Sequence, residues 1–178
     1  MKVKKVSIPS DSLMSKITPV SYSDAFEAVV EMNSISLKEI QVEFWAGRPQ
    51  WAIKLMQLRN LLVKPLGLKT DNILSKDQVR KMIEQKEKSN GLSFYGSNEH
   101  EIILYKDDKH LRFYFSTSWV LTGACRKLSA STIVQIHNKV GKIYFFFIAP
   151  FHFILVKWQF KRILRRMQKS YSRMSNKL

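Results

Sequence analysis

The sequence contains little cysteine, histidine or glycine, and these shortages exclude several classes of protein. Cys125 is the only cysteine, so no intrachain disulfide can form, as is usual in a reducing compartment. One cysteine and four histidines are too sparse for a zinc motif. Six glycines provide no phosphate-binding loop, dinucleotide fingerprint or nucleophile elbow. We therefore expect no metal and no cofactor, and the sequence leans away from an enzyme.

Acidic residues are absent from the second part of the chain. All 14 Asp and Glu residues lie at or before Asp108, whereas residues 109–178 hold 14 of the 30 Lys and Arg residues. The net charge of +16 therefore comes almost entirely from the C-terminal part. Such a field favours anionic partners such as phospholipid, nucleic acid or an acidic protein. The alternative is a soluble protein with a basic surface.

The chain also lacks an apolar run that is long enough for a membrane span. The longest run covers residues 143–156, which is 14 residues and includes Pro150 and His152. A span needs about 20 apolar residues. The N-terminus has lysines but no apolar core after them, so no signal peptide is predicted. We expect a cytoplasmic protein, with Pro150 separating a strand from a helix.

Local patterns predict one strand and three helices in the first half. Alternating apolar residues over 20–32 predict a half-buried strand. A capping pattern at residue 36 and a glycine at residue 47 predict a short helix between them. Pro49 favours the start of a second helix, to about residue 63. A weaker pattern predicts a third helix over 75–88.

From residue 91 the apolar period changes to two, which predicts antiparallel strands over 91–97, 101–107, 110–121, 128–137 and 141–149. With residues 122–127 as a loop, Phe113 is predicted to lie opposite Ile136, and Phe115 opposite Val134. In the next hairpin, Val134 is predicted opposite Phe145. All these apolar residues then share one face of the sheet.

Residues 151–173 show apolar residues at steps of three and four, which predict a long amphipathic C-terminal helix. The sheet and this helix each have one apolar face that needs a partner, and each is the obvious partner for the other. We therefore predict a single α+β domain over 1–178. In it a curved antiparallel sheet packs around the C-terminal helix, and residues 1–18 form an N-terminal extension.

This order of elements resembles the helix-grip fold of START-like and polyketide-cyclase-like domains. Three segments look like signature blocks of an uncharacterised bacterial family in that superfamily: WAIKLMQLRNLLVKPLGLKT (51–70), DDKHLRFYFS (107–116) and IHNKVGKIYFFFIAPFHFILVK (136–157). The resemblance implies an apolar ligand held between sheet and helix. Its expected lining is Phe113, Phe115, Trp119, Phe145, Phe147, Phe153, Val156 and Phe160. Because most of these side chains are bulky, they are also the expected core.

Two polar groups are candidates for chemistry. The predicted register gathers His110, Arg112 and His137 at one end of the outward sheet face, near the carboxylates of residues 107 and 108. One interpretation of this group is general acid–base catalysis. The other is a turn carboxylate beside surface histidines. Separately, Arg59 lies in an apolar stripe of a predicted helix. Asp24 lies on the face of the predicted strand 20–32 that otherwise carries apolar residues. We expect the two to pair, unless Arg59 reaches water instead.

Three functions follow as hypotheses. The leading one is a non-catalytic binding module for a small apolar or amphipathic ligand under the C-terminal helix. The alternative is a peripheral protein that docks electrostatically on an anionic membrane or another polyanion, through Lys157, Lys161, Arg162, Arg165 and Arg166. The third is a cyclase-like enzyme that uses Asp108, His110 and Arg59. No nucleic-acid reader motif is present, so nucleic acid is not an expected partner. An outward apolar patch favours a homodimer or cover by the short helices; it consists of Ile133, Tyr144, Phe146 and Ile148.

Overall fold

The computed structural model describes residues 1–30, 36–47, 49–54, 74–89, 91–123 and 125–175, with backbone only for 171–175. The described chain forms one seven-stranded antiparallel sheet and a long C-terminal helix. This is the predicted α+β arrangement, a curved open sheet with a helix packed along it, consistent with the helix-grip fold.

The strands follow the chain in a near-meander. Their order in the sheet is β1-β2-β7-β6-β5-β4-β3. The bounds are Lys4–Val6 (β1), Tyr22–Val30 (β2), Lys88–Ser89 (β3), Leu92–Asn98 (β4), Glu101–Asp107 (β5), Leu111–Thr122 (β6) and Cys125–Ile136 (β7). The strands predicted over 91–97, 101–107, 110–121 and 128–137 are confirmed, and the one predicted over 20–32 is confirmed at Tyr22–Val30.

Two of the described α-helices begin at serine caps. A short 3₁₀ helix spans Leu13–Lys16, α1 spans Leu37–Ala46 and α2 spans Lys76–Gln85. The Ser36 hydroxyl accepts from the backbone N–H of Glu39, and a full capping box starts α2. Residues 50–54 are also helical. The predicted continuation of that helix to residue 63 lies outside the described residues.

The predicted strand over 141–149 is wrong, because these residues are helical. The C-terminal helix, α3, spans Lys139–Ser175 without interruption. Aromatic and β-branched residues favour a strand here. However, β7 is paired with β2 on one edge and β6 on the other, so a further hairpin strand has no free edge next to it. The chain must therefore leave the sheet after residue 136.

Asn138 starts α3 and fixes it to the β5–β6 turn. Its side-chain oxygen accepts from the backbone N–H of Gly141 at 3.0 Å, and its amide donates to the carbonyl of Lys109 at 3.0 Å. A Cβ on Gly141 would collide with the carbonyl oxygen of His110. The glycine therefore allows the first turn of α3 to approach this turn closely.

Pro150 lies inside α3 and does not separate two elements as predicted. A proline lacks the N–H that would bond the carbonyl four residues earlier, so the helix loses one hydrogen bond there. Packing on both sides of it is intact, since Phe145 is buried before the proline and Val156 and Phe160 are buried after it. This tertiary contact explains why the helix continues.

The predicted pairing of β6 with β7 is wrong by two residues, although the shared face is correct. Phe113 lies opposite Val134, and Phe115 lies opposite Thr132. The strands extend further than predicted, because Thr122 already pairs with Cys125. Gly123, at φ 59°, allows the tight turn that replaces the predicted six-residue loop.

The inner face of the sheet, defined here as the face toward α3, carries the main core. Phe26, Phe115 and Leu128 of the sheet form one buried cluster with Val156 and Phe160 of α3. The helix α1 adds further apolar residues to the same cluster. The predicted packing of sheet against C-terminal helix is therefore confirmed.

The outer face of the sheet is partly covered by the N-terminal segment. Met14 and Ile17 form a second cluster with Ile103, Tyr114 and Ile133. The outward patch predicted from Ile133 is therefore wrong at that residue, because the N-terminal segment buries it.

A buried carboxylate holds the segment in place. Glu101, which is 2% exposed, accepts from the Ser12 hydroxyl at 2.6 Å and from the backbone N–H of Leu13 at 2.7 Å, and also from the Ser116 hydroxyl. Three donors compensate for the burial of one charge.

Candidate functional site

An apolar surface on α3 faces solvent. It consists of six side chains: Ile143, Phe146, Phe147, Phe151, Ile154 and Trp158. Phe146 is 75% exposed, Phe147 is 64% exposed and Ile154 is 61% exposed. At 3.6 residues per turn the six fall within an arc of about 140°. We refer to this set as the α3 apolar surface.

The opposite side of α3 is the one that packs on the sheet. Phe145, Val156, Phe160, Ile163 and Leu164 are all buried. The apolar stripe predicted within residues 151–173 packs on the sheet as expected, at Val156, Phe160, Ile163 and Leu164. Since residues 141–149 are helical rather than extended, they present a second apolar stripe that the described fold does not cover.

Basic residues flank the α3 apolar surface at both ends. Lys139 and Lys142 precede it, and Lys157, Lys161 and Arg165 lie at or beyond its C-terminal end. At 3.6 residues per turn, Lys139, Lys157, Lys161 and Arg165 fall within the same arc as the apolar residues. None of the five forms an ion pair within the described part of the chain. The helix therefore presents an apolar centre between two cationic ends.

The other two predicted anion-binding residues are engaged with α1. Arg162 donates from Nη1 to the carbonyl of Gly47 at 2.8 Å, and its guanidinium lies 5.4 Å from the centre of the Trp158 ring. Burial, followed by the neighbouring charge of Arg166, lowers the pKa of Arg162. Arg166 lies 4.0 Å from Glu43. These two arginines hold the helix against α1.

The segment Lys139–Ser170 of α3 is long and apolar enough to cross a membrane, judged by length and composition, and only 17% of its most apolar window is buried. Its uncharged part, residues 143–156, extends about 21 Å. The hydrocarbon core of a bilayer is about 30 Å thick. One side of this part also packs on the sheet. Both observations favour a helix that lies along a surface.

The residues predicted to line a ligand cavity mostly pack against one another. Phe115, Phe145, Val156 and Phe160 are buried, and Phe113, Trp119 and Phe153 are half-buried against the core. Phe44 of α1 stacks on Phe115 with ring centres 3.6 Å apart. Phe147 is not in this group, because it belongs to the exposed α3 apolar surface.

A buried polar group lies between β2 and α3. The Tyr22 hydroxyl donates to Oδ2 of Asp24 at 2.8 Å, and Nε2 of His152 lies 3.8 Å from the same oxygen. Oδ1 of Asp24, Nε2 of His152 and Oγ1 of Thr132 are buried without a hydrogen-bond partner. The predicted partner of Asp24, Arg59, lies outside the described residues.

Burial sets the protonation of this group. It lowers the pKa of His152, although the Asp24 charge acts in the opposite direction. Burial, together with the hydrogen bond to Asp24, raises the pKa of Tyr22. The imidazole of His152 is therefore held in its neutral form more strongly than a free histidine.

The predicted polar group on the outer face is confirmed in part. Arg112 pairs with Asp107, and Nε2 of His137 lies 3.3 Å from Oδ1 of Asp107. The bond from Arg112, and then the one from His137, lowers the pKa of Asp107. Because of the two-residue register difference, Arg112 lies opposite Gln135 rather than His137. Beside this group a cleft of about 390 Å³ opens toward the N-terminal segment.

The remaining candidates, Asp108 and His110, hold the backbone. Oδ1 of Asp108 accepts from the backbone N–H of Lys109 at 2.6 Å, and Nδ1 of His110 lies 3.0 Å from the side-chain oxygen of Asn138. Within the described ranges, no group of three or more His, Cys, Asp or Glu residues is placed to hold a metal ion.

The model of a family of proteins of unknown function, DUF2867, matches residues 17–158. The chain belongs to this family. The DUF2867 match begins in the N-terminal segment and ends in α3, so it includes the α3 apolar surface and most of the outer-face cleft. No curated protein and no solved structure matches the chain. The predicted membership of an uncharacterised family is confirmed, and its START-like relationship stays a prediction.

Proposed function

We propose that this DUF2867 protein is a peripheral membrane protein that docks on an anionic lipid surface through α3. The observation that carries the proposal is the α3 apolar surface, six exposed large apolar side chains on one helix face with lysines at both ends. An amphipathic helix with these features lies in the interface plane, with its apolar side chains among the acyl chains.

Two favourable terms act together in this arrangement. The phenylalanine and isoleucine side chains of the α3 apolar surface leave water on insertion. Trp158 lies at the C-terminal end of that surface, where an indole ring suits the headgroup region. Each Lys or Arg near an anionic leaflet adds about 1 kcal/mol. The sequence alone favoured a purely electrostatic contact, whereas the exposed apolar side chains favour shallow insertion as well.

Charge argues for a membrane rather than for a second copy of this chain. In a two-fold dimer the same surface meets itself. If the two helices are parallel, each lysine lies beside its own copy, and if they are antiparallel, the two basic ends meet. Lys139 and Lys142 of one copy would then lie beside Lys157 and Lys161 of the other. Like charges across an interface oppose association. A leaflet of anionic phospholipid instead complements both ends at once.

Vesicle flotation of the full chain tests the proposal. We expect binding to phosphatidylcholine vesicles that contain phosphatidylglycerol, and weaker binding to phosphatidylcholine alone. Combined Phe146→Ser, Phe147→Ser and Ile154→Ser substitutions are expected to abolish flotation. The matched control is Val120→Ser with Leu121→Ser, because these side chains are also exposed but lie at the β6–β7 turn. Equal loss in both variants would contradict the proposal.

A second variant separates the electrostatic term. Combined Lys157→Gln, Lys161→Gln and Arg165→Gln substitutions are expected to reduce the preference for anionic vesicles, because only Lys139 and Lys142 then remain beside the α3 apolar surface. Extraction at alkaline pH is expected to release the bound protein. Resistance to extraction would indicate a span, and a stable dimer with no vesicle binding would indicate self-association; either result overturns the proposal.

Ligand binding under α3 is a second candidate, and one observation favours it. Asp24, Thr132 and His152 each bury a polar atom without a partner on the side of the sheet that α3 covers. The polar head of an amphipathic ligand would satisfy such atoms, as the START-like resemblance implies. Native mass spectrometry of the purified protein is expected to show an additional bound mass, and its absence at every gentle condition would contradict this candidate. Cyclase activity is not favoured, because Asp108 bonds within the β5–β6 turn and His110 bonds the side chain of Asn138 at the start of α3.

A further inference from the structure

The outer-face cleft lies on the side of the sheet away from α3. Alternate residues of a strand point to opposite faces. Phe113 and Phe115 point toward the α3 side, so Arg112 and Tyr114 point into the cleft. Its other walls come from residues 16–19, Tyr95 and residues 135–137. The volume of about 390 Å³ falls at the low end of ligand pockets, which span about 300–1,000 Å³.

The cleft is cationic. Its lining includes Lys16, Arg112 and His137, and no lining residue is a carboxylate. Asp107 stands beside the lining and bonds both Arg112 and His137. It therefore orients the two side chains and neutralises only one of the two permanent positive charges.

The guanidinium of Arg112 is held in place with bonding capacity to spare. Its Nη2 donates to Asp107, and its Nη1 reaches the Tyr114 hydroxyl only at 3.5 Å. Its Nε is buried without a hydrogen-bond partner. The guanidinium also lies 5.7 Å from the centre of the Tyr105 ring. A planar cation fixed in this way is suited to a carboxylate.

Part of the remaining lining is apolar and flat, beside the polar side chains of Thr18 and Gln135. Tyr95 is 45% exposed, and its ring meets that of Tyr114 edge to face with centres 5.3 Å apart. Ile17 and Pro19 of the N-terminal segment also line the cleft. A flat apolar group would lie against Tyr95 without displacing a charged side chain.

We propose that this cleft binds a small organic anion, with a carboxylate directed at Arg112 and Lys16 and a flat apolar part against Tyr95. The site lies on the opposite face of the sheet from the membrane-docking helix. It is therefore independent of the proposed membrane function, and each can fail without the other.

A nuclear magnetic resonance titration of the full chain tests the site, with benzoate as the probe. Benzamide, which has the same ring but no charge, and inorganic phosphate, which has charge but no ring, are the matched probes. We expect saturable shifts with benzoate at the amides of Ile17, Ile136 and His137. Phosphate is expected to bind more weakly and benzamide not at all.

Arg112→Gln is expected to weaken benzoate binding by about tenfold or more, as the loss of a charge-assisted bond to a carboxylate implies. Lys16→Gln, at an exposed side chain that cannot affect folding strongly, is expected to weaken it severalfold. Arg126→Gln is the control, because Arg126 stacks on Trp119 instead, at 4.3 Å. Equal binding of benzoate and benzamide, unchanged binding in Lys16→Gln, or no saturable shift at millimolar benzoate would overturn the proposal.

Discussion

At the scale of single residues, features that depend on neighbours in the sequence could be predicted. Features that depend on distant parts of the chain could not. The caps at Ser36 and Ser75 could be predicted because each depends on residues within one turn. Asn138 forms a cap of the same kind, but the aromatic residues after it favoured a strand. The environment of Asp24 depends on α3, more than a hundred residues away, so its contact with His152 could not be predicted.

His152 gives a prediction at this scale. Its pKa is lowered in the folded state by burial. In the unfolded chain the imidazole of His152 binds a proton with the ordinary pKa of about 6.5. In the folded chain it binds the proton only at lower pH. Since the unfolded state then holds more protons, stability falls as pH drops below about 6.5, by up to about 1.4 kcal/mol per pH unit.

Urea unfolding between about pH 7.5 and pH 5 measures this loss. His152→Gln is expected to show a shallower fall in the free energy of unfolding than the natural chain. His100→Gln is the control, because the His100 side chain is 55% exposed, with its ring centre 4.4 Å from that of the half-buried Trp119. The same pH slope in all three proteins would show that His152 is not the group responsible.

At the scale of elements, the strands of the sheet could be predicted because apolar and polar residues alternate along consecutive positions of each strand. The first half of α3 could not, because its residues have strand propensity. What decides its structure is that β2 and β6 already occupy both edges of β7, and β2 lies far away in the sequence. The same non-local fact creates the α3 apolar surface.

Gly141→Ala tests the close approach at the start of α3. Helix propensity alone predicts stabilisation by about 1 kcal/mol. The new Cβ would meet the carbonyl of His110, so we expect destabilisation instead, by about 1–3 kcal/mol. Gly96→Ala is the matched control, because a Cβ there has no neighbour within 4 Å. Denaturant unfolding shows whether the free energy of unfolding rises or falls in Gly141→Ala. A rise would contradict the close contact with His110.

At the scale of the whole molecule, the sequence predicted the sheet, the covering helix and a basic C-terminal half. It placed the positive charge correctly, but because it predicted a strand over 141–149 it assigned Phe147 to the core and Phe146 to an outward sheet face. The fold instead separates two faces. Small anions are expected to bind on the outer face of the sheet, and a lipid surface is expected to contact the exposed side of α3.

The insertion of α3 into an anionic leaflet is the central claim, and one measurement tests it most directly. In a Cys125→Ser background, a polarity-sensitive fluorophore is attached at Phe147→Cys or, as the control, at Leu121→Cys. On addition of phosphatidylglycerol vesicles we predict a blue shift and quenching by spin-labelled lipid at position 147, with no change at position 121. An unchanged spectrum at position 147, or equal shifts at both positions, would contradict the account.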